Sequence, residues 1–349
     1  MRIGIDLMGS DSSPDTLYQA VLQIAEEFDA AYTLNVLATK DVVDSLSKTK
    51  TPLLQSPRNA RIEFTIIDEV ILMSDDPLTA VRRKKGSSLV IGIKLLKKRA
   101  LDCFISTGNT GALIASATLS LPTLPGITRP ALMAMLPTET GHTVVLDVGG
   151  SVYCKAHHLV QYAYLGAAYQ RVFKGTVCPK VGLLNIGTES KKGTGELRQA
   201  YQSLEEHART VTYGRSNPPF VFSGNVEGRD LFRGALDVVV TDGFTGNILL
   251  KSAEGVAHFI FDVIRKSIEE SSSPKLEHAL QHFGSKFNYA EYPGAFLCGL
   301  DGIVIKCHGN SSSRALYNGI KGAIRLVQQN VNASLKQQLK ESLLLNPVS

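Results

Sequence analysis

Short, nearly continuous apolar runs ending in Gly, Asp, Ser or Thr recur along this chain, and no other feature constrains its fold as strongly. They fall at Arg2 to Asp6, Thr33 to Ala38, Ile62 to Ile67, Asp102 to Ile105, Val144 to Asp147, Val181 to Ile186, Asp237 to Thr241 and Gly302 to Lys306. A strand with one wet face alternates apolar and polar residues, whereas a run without alternation is buried on both faces. Helical patterns separate the runs, at Asp15 to Phe28, Ser87 to Arg99, Ala156 to Phe173, Gly195 to Ala208, Thr245 to Ile268 and Ser312 to Val331. Such alternation predicts an α/β protein with a parallel or mostly parallel sheet covered by helices on both sides. Neither a 20–50-residue repeat nor a low-complexity linker interrupts it. Residues 1–349 therefore read as one large α/β domain with a helical segment protruding at about 253–290.

Composition narrows the class of partner. Lys and Arg number 37 against 32 Asp and Glu, a net charge of +5 too small and dispersed for a nucleic-acid footprint. The five cysteines, at 103, 154, 178, 298 and 307, lack CxxC or zinc-ligand spacing and read as reduced cytoplasmic thiols. Met1 to Met8 runs straight into Gly9-Ser10-Asp11-Ser12-Ser13-Pro14, a first strand and turn rather than a secretory leader. The most apolar long stretch, Gly111 to Ile127, is broken by Ser116, Thr118, Ser120, Pro122 and Pro125, so no spanning helix of about 20 apolar residues is expected.

In open α/β sheets ligands sit at the carboxyl ends of the strands, so the residues after each run carry the functional information. Ser106-Thr107-Gly108-Asn109-Thr110-Gly111 and Thr241-Asp242-Gly243-Phe244-Thr245-Gly246-Asn247 both place G-x-T-G between a strand and a helix. There glycine permits close backbone approach and free N–H groups attract an anion, so a phosphate-like or carboxylate-like group held between the two turns is expected. A third end, Asn185-Ile186-Gly187-Thr188-Glu189-Ser190-Lys191-Lys192-Gly193, offers an amide, a carboxylate and two ammonium groups able to meet developing negative charge; a solvated turn is the plainer reading. Asp147-Val148-Gly149-Gly150-Ser151 and Lys306-Cys307-His308-Gly309-Asn310-Ser311 add two more polar ends.

Several signatures are missing. The chain has no G-x-x-x-x-G-K-[ST], no dinucleotide glycine fingerprint, no H-E-x-x-H and no G-x-S-x-G elbow, and its histidines are too scattered for a metal cluster. Arg82-Arg83-Lys84-Lys85 is a basic run suited to a solvated face or an acidic partner. Leu276, Ala279, Leu280, Phe283 and Phe287 form an apolar stripe with cationic flanks, fit for core packing, a dimer contact or a membrane surface. Ala253 to Ile268, apolar nearly all round, predicts burial against another subunit.

Taken in order, R-I-G-I-D-L-M-G-S-D-S-S-P at the start, A-V-R-R-K-K at 80–85, S-T-G-N-T-G-A at 106–112, D-V-G-G-S at 147–151, V-G-L-L-N-I-G-T-E at 181–189, G-N-V-E-G-R-D at 224–230, V-V-V-T-D-G-F-T-G-N at 238–247 and V-I-K-C-H-G-N-S at 304–311 resemble the bacterial phosphate acyltransferase family. The resemblance runs from Met1 to about Asn332. It implies a homodimeric three-layer α/β/α sandwich, similar to phosphotransacetylases and isopropylmalate-type dehydrogenases. It also implies attack of inorganic phosphate on the thioester of fatty acyl-acyl-carrier protein, giving acyl phosphate for phospholipid synthesis without metal or cofactor. An acyl-CoA-using phosphotransacetylase-like enzyme and a non-catalytic lipid-synthesis scaffold are the rival readings.

Carried over by position, the resemblance implies that Lys192, with Lys191 as alternative, stabilises the oxyanion or departing thiolate, and that the Asn247 amide meets the phosphate or the carbonyl oxygen. Asn109, Thr110 and Gly111 would cradle phosphate, with Asp147, Asn185, Asp242, Thr245 and Gly246 lining the substrate site and His308 and Asp6 orienting groups. Arg82, Arg83, Lys84 and Lys85 would receive the acidic carrier protein, and the stripe from Leu276 to Phe287 would touch the membrane beside an acyl-phosphate-using glycerol-3-phosphate acyltransferase. The family's M-G-G-D-H-A-P is Met8-Gly9-Ser10-Asp11-Ser12-Ser13-Pro14 here, its D-V-G-A-N ends in Ser151, and its A-H-G-S-S is Cys307-His308-Gly309-Asn310-Ser311.

Overall fold

A computed structural model describes residues 1–48, 58–212, 218–271 and 294–343. The stripe expected over Leu276–Phe287 lies outside the described residues. In chain order the elements are β1 (Arg2–Asp6), α1 (Pro14–Glu27), β2 (Thr33–Thr39), α2 (Lys40–Lys48), β3 (Arg61–Ile67), α3 (Pro77–Arg83), α4 (Ser88–Lys97), β4 (Cys103–Ser106), α5 (Thr110–Ser120), β5 (Ala131–Thr138), β6 (Gly141–Leu146), α6 (Ala156–Lys174), β7 (Lys180–Leu184), α7 (Gly195–Thr212), β8 (Val221–Val226), β9 (Val238–Val240), α8 (Gly243–Ser271), β10 (Ala295–Cys298), β11 (Ile303–Lys306), α9 (Ser313–Gln328) and α10 (Val331–Leu343). The expected α/β class with a mostly parallel sheet and covering helices is what the chain adopts.

The chain divides into two compact units. One takes Met1–Pro130 and the described chain from Gly294 to Gln337; the other takes the described chain from Ala131 to Ser271 and from Gln338 to Leu343.

In the first unit the strand order is β3-β2-β1-β4-β11-β10, parallel except for the antiparallel pair β10–β11. Helix α4 packs on β1, β2 and β4 and on α5, which packs on α3; α9 packs on β1, β4 and β11 and on α1. Gly92 of α4 allows this close approach, because a Cβ there would stand 2.1 Å from the Phe104 ring. The apolar runs explain the burial: Ile3, Ile5, Phe104, Ile105, Val304 and Ile305 are almost inaccessible. Of the five cysteines, all unpaired, Cys103 and Cys298 lie fully buried in this unit, where desolvation pushes their thiols upward.

In the second unit the order is β5-β6-β9-β7-β8, with β5–β6 antiparallel and the rest parallel. Helix α6 packs on β6, β9 and β7 and on α7. It nests against the sheet at Gly166, where a Cβ would meet Val238 Cγ1 at 2.5 Å, and it ends at Gly175 in the left-handed conformation (φ 71°), a glycine-favouring C-cap. The sequence pattern had not marked β5, β8 or β10 as strands.

Candidate active site

The polar strand ends are built separately in each unit. In the first, β1, β4 and β11 lie side by side with Asp6 opposite Ser106 and Ser106 opposite Lys306, so three polar side chains occupy one row at the carboxyl edge. Asp6 is fully inaccessible; its Oδ1 accepts from Met8 N at 2.9 Å and its Oδ2 from Ser106 Oγ at 2.8 Å. Burial pushes its carboxyl up to about 6, against the opposing pull of the Met8 N–H, the Ser88 and Ser106 hydroxyls and the Lys306 charge. Lys306, also buried, donates to Thr107 O at 3.3 Å and to Cys307 O. In the sequence Ser106 and Lys306 read only as members of polar strand ends with no role of their own, although a lysine closing the apolar run Ile303-Val304-Ile305 was the available signal.

The turn after β4 delivers Asn109, Thr110 and Gly111 to the start of α5. Asn109 is the N-cap: its Oδ1 accepts from Ala112 N at 3.0 Å, and its Nδ2 donates to Leu72 O, Met73 O and Asp75 O, each at 3.2 Å. The side-chain amide is thus committed to the cap and to the 72–75 loop, leaving the first-turn N–H groups as the anion-facing feature. Gly111 is required by Pro77, whose Cγ would lie 2.6 Å from a Cβ.

After β11 the His308 carbonyl accepts from Ser311 Oγ at 2.6 Å. Ser10 and Ser12, two of the departures from the family pattern, donate to Gly309 O at 2.6 Å and Ser311 O at 2.9 Å, clasping that turn to the N-terminal loop. In the basic run, Lys84 is tied down at 2.5 Å to Asp75 and 2.8 Å to Val70 O, while Arg82, Arg83 and Lys85 are exposed.

In the second unit β6, β9 and β7 end at one level, with Leu146 and Leu183 both opposite Val240. Asp147 follows β6 with no exposed surface. Its Oδ1 accepts from Leu132 N (2.9 Å), Gly149 N (3.2 Å) and Gly150 N (2.7 Å), while Oδ2 is buried with no close hydrogen-bond donor among the described residues beyond the influence of the Ser151 N–H. Desolvation dominates here too and pushes this carboxyl up to about 6, opposed by the loop N–H groups. Asp147 therefore shapes the Gly149–Ser151 loop.

The start of α8 is pressed onto that loop. A Cβ at Gly243 would stand 2.5 Å from Ser151 O, and one at Gly246 only 1.8 Å from Asp147 O, so the G-x-T-G glycines are obligatory for packing. Asp242 caps the helix by accepting from Thr245 N and Thr245 Oγ1, both at 2.8 Å. Asn247, the fifth residue of α8, is exposed beside Gly149. Any side chain at Gly149 would strain this arrangement, since its φ is 134°.

The turn after β7 carries Lys191 and Lys192, both exposed. Among the described residues Lys192 has no ion-pair partner, and its stem lies over Gly187, where a Cβ would be 3.2 Å from Lys192 Cγ. Asn185 is mostly buried, with Nδ2 donating to Lys192 O at 3.1 Å. The two G-x-T-G turns thus belong to different units, with Asn109, Thr110 and Gly111 in the first and Thr245, Gly246, Asn247 and Lys192 in the second.

A family profile described as fatty acid synthesis protein matches residues 1–334. The phosphate acyltransferase of Bacillus subtilis (strain 168) is 40% identical over 347 residues, 98% of each chain. That of Chlamydia pneumoniae is 38% identical over 338 residues, 94% of this chain and 96% of its own. Among solved structures, the EutD phosphotransacetylase from Staphylococcus aureus matches with a TM-score of 0.55 at 17% identity, covering 94% of both chains. A phosphotransacetylase from Streptococcus pyogenes gives 0.55 at 16%, covering 97% of this chain and 94% of its own. Identities this low speak for the fold alone.

Proposed function

Because the chain belongs to the fatty acid synthesis protein family and stands among its phosphate acyltransferases, it is an acyltransferase, and we propose that it moves a fatty acyl group from the thioester of acyl-carrier protein to inorganic phosphate. A phosphate oxygen attacks the thioester carbonyl carbon, the carbonyl oxygen carries the negative charge of the tetrahedral intermediate, and the C–S bond breaks. The products are acyl phosphate and the carrier's free thiol.

The observation that carries this reading is the second unit's strand-end array. Asn247 offers an exposed amide as the fifth residue of a 29-residue helix, and Lys192, on the turn after β7, offers an ammonium without an ion-pair partner among the described residues. The nucleophile comes with the substrate, so the protein's part is to orient phosphate and to meet charge as it develops. In this reading Asn247 donates to the phosphate or carbonyl oxygen, Lys192 pairs with the oxyanion or the departing thiolate, and Lys191 is the neighbouring cation. Asn109, Thr110 and Gly111 hold an anion through the start of α5, and His308 orients a polar group. Val152, Ile186 and Phe244, large apolar side chains exposed on the turns after β6, β7 and β9, suit a fatty acyl thioester.

Arg82, Arg83 and Lys85 are the cations offered to the acidic carrier. The α8 face supports a second copy of the chain. No helix among the described residues is long and apolar enough to cross a membrane, and the proposed peripheral contact falls to the 276–287 segment. There the product would pass to a glycerol-3-phosphate acyltransferase.

The test is to incubate the protein with palmitoyl-acyl-carrier protein and phosphate, trap acyl phosphate with hydroxylamine, and run palmitoyl-CoA in parallel. Phosphate-dependent hydroxamate, faster from the carrier, is expected. Preference for CoA supports the phosphotransacetylase-like reading, and no product from either donor rejects catalysis of this transfer.

A further inference from the structure

Lys192 can meet charge only if its turn is held in place, and the hold comes from a strand that contributes no group to the reaction proposed above. β8 pairs with β7 so that Val181 faces Phe222 but Leu183 faces Asn225, giving β8 one residue more than β7 across this step. Gly224 lies in that step with φ 82°. Side chains alternate along a strand, so one inserted residue changes the face on which everything after it projects. The bulge brings Asn225, only 5% exposed, to Asn185, only 8% exposed.

The two amides form a clip. Asn185 Nδ2 donates to Asn225 Oδ1 and to Lys192 O, both at 3.1 Å, and Asn185 Oδ1 accepts from Ile186 N at 2.8 Å. Asn225 Nδ2 donates to Glu189 O at 2.8 Å, and Lys192 N closes the turn onto the same carbonyl at 3.0 Å. Both ends of the Glu189–Lys192 turn therefore hang from one buried amide pair. Gly193, at φ 84°, leaves room for it, since a Cβ there would lie 2.5 Å from Asn185 Oδ1. Four residues past Lys192, Glu196 fastens the far side: its carboxylate accepts from Ala156 N at 2.6 Å, at the start of α6, and from Tyr153 OH at 2.9 Å.

We propose that Asn225 is a positioning residue for Lys192, acting through the amide clip that fixes the turn's two carbonyls. The proposal rests on the charge-stabilising role given to Lys192 above. A long side chain magnifies a shift at its base, and a displacement of about 1 Å costs on the order of 10²-fold in rate.

The experiment measures kcat and phosphate KM in the hydroxylamine assay for Asn225→Ala, Asn225→Asp, Lys192→Ala and the double variant Asn225→Ala/Lys192→Ala. Asn225→Ala is expected to lower kcat about 10- to 100-fold with phosphate KM within about twofold. Asn225→Asp keeps the acceptor for Asn185 but loses the donor to Glu189 O, and it should be as slow. Once Lys192 is gone its placement no longer matters, so the double variant should be no slower than Lys192→Ala.

Wild-type kcat in Asn225→Ala, or a double variant whose loss is the product of the two single losses, overturns the proposal. Full turnover in Lys192→Ala overturns the role of Lys192 and this proposal together, whereas a slow Lys192→Ala beside a normal Asn225→Ala overturns this proposal alone. If Asn225→Ala fails to fold, Gly224→Ala takes its place. Its Cβ has room, with Tyr201 the nearest group at 3.8 Å, but its φ is strained, so it displaces Asn225 without deleting it and should show the same non-additivity.

Discussion

Asp6 and Asp147 are carboxylic acids enclosed by protein, each carried from the ordinary value of 3.8 to about 6 by burial. A shift of that size is worth about 3 kcal/mol per group between its two protonation states. Because the folded pKa is the higher one, the native state binds more protons than the unfolded chain between about pH 4 and 6. Each group's contribution is most favourable below the unfolded value and is lost as pH rises through 6. Asp6→Asn removes one such group while keeping an acceptor for Met8 N. Urea unfolding of the two proteins should therefore show that the variant gains about 1 kcal/mol less than wild type on passing from pH 7.5 to 5; equal gains would reject the buried-acid account. Carboxylates held low by partners, Glu27 by Lys321 first and Glu196 by the Ala156 N–H first, act in the opposite sense but are common to both proteins.

The glycines of both turns and the Lys191–Lys192 pair stood out because charge or glycine after an apolar run is a local signal, whereas the roles proposed for Lys192 and Asn247 came from the family resemblance. The sequence did not show that Asn185 and Asn109 spend their amides on backbone carbonyls, since those partners come from residues 192 and 72–75. Nor did it give a role to Asn225, which lies in the G-N-V-E-G-R-D segment but whose orientation depends on a bulge one residue upstream.

At the scale of elements, helix α8 contains two glycines with opposite demands. Gly246 faces Asp147 O with no room for a methyl group, whereas a Cβ at Gly255 meets nothing within 4 Å. Gly246→Ala should destabilise by about 1–3 kcal/mol or more through overpacking, and Gly255→Ala should stabilise by roughly 0.5–1 kcal/mol through helix propensity. Thermal unfolding of both variants checks the pair, and a lower Tm for Gly255→Ala would contradict the open surface. The same contrast explains which elements could be read in advance. Most of the parallel strands were legible because burial on both faces writes a continuous apolar run. β5 was not, since Pro137 and Thr138 close a run that starts directly after Pro130. β8 was hidden by the glycine of its bulge, and β10 is a strand of only four residues, antiparallel to the β11 that follows it.

Over the whole molecule, the described part of α8 leaves Val256, Phe259, Ile260 and Val263 exposed at i, i+3, i+4 and i+7, one continuous helical stripe. A second copy of the 37.7 kDa chain is the partner proposed for it. Sedimentation should give about twice the chain mass for wild type, and Phe259→Glu with Ile260→Glu should return the protein to a single-chain mass without loss of secondary structure. Wild type sedimenting as one chain would reject that assignment.

The order of strands in the first unit also bears on how the chain is made. β11 sits between β4 and β10, yet its residues begin at Ile303, while β4 is complete by Ser106. During synthesis on the ribosome β4 therefore spends nearly two hundred residues of elongation, roughly 10–40 s at ordinary rates, as an unpaired strand edge. A product cut short before Ile303 would keep that edge for good. Quality control by chaperones and proteases thus has a long interval in which to act on this polypeptide, and it closes only as the final strand emerges.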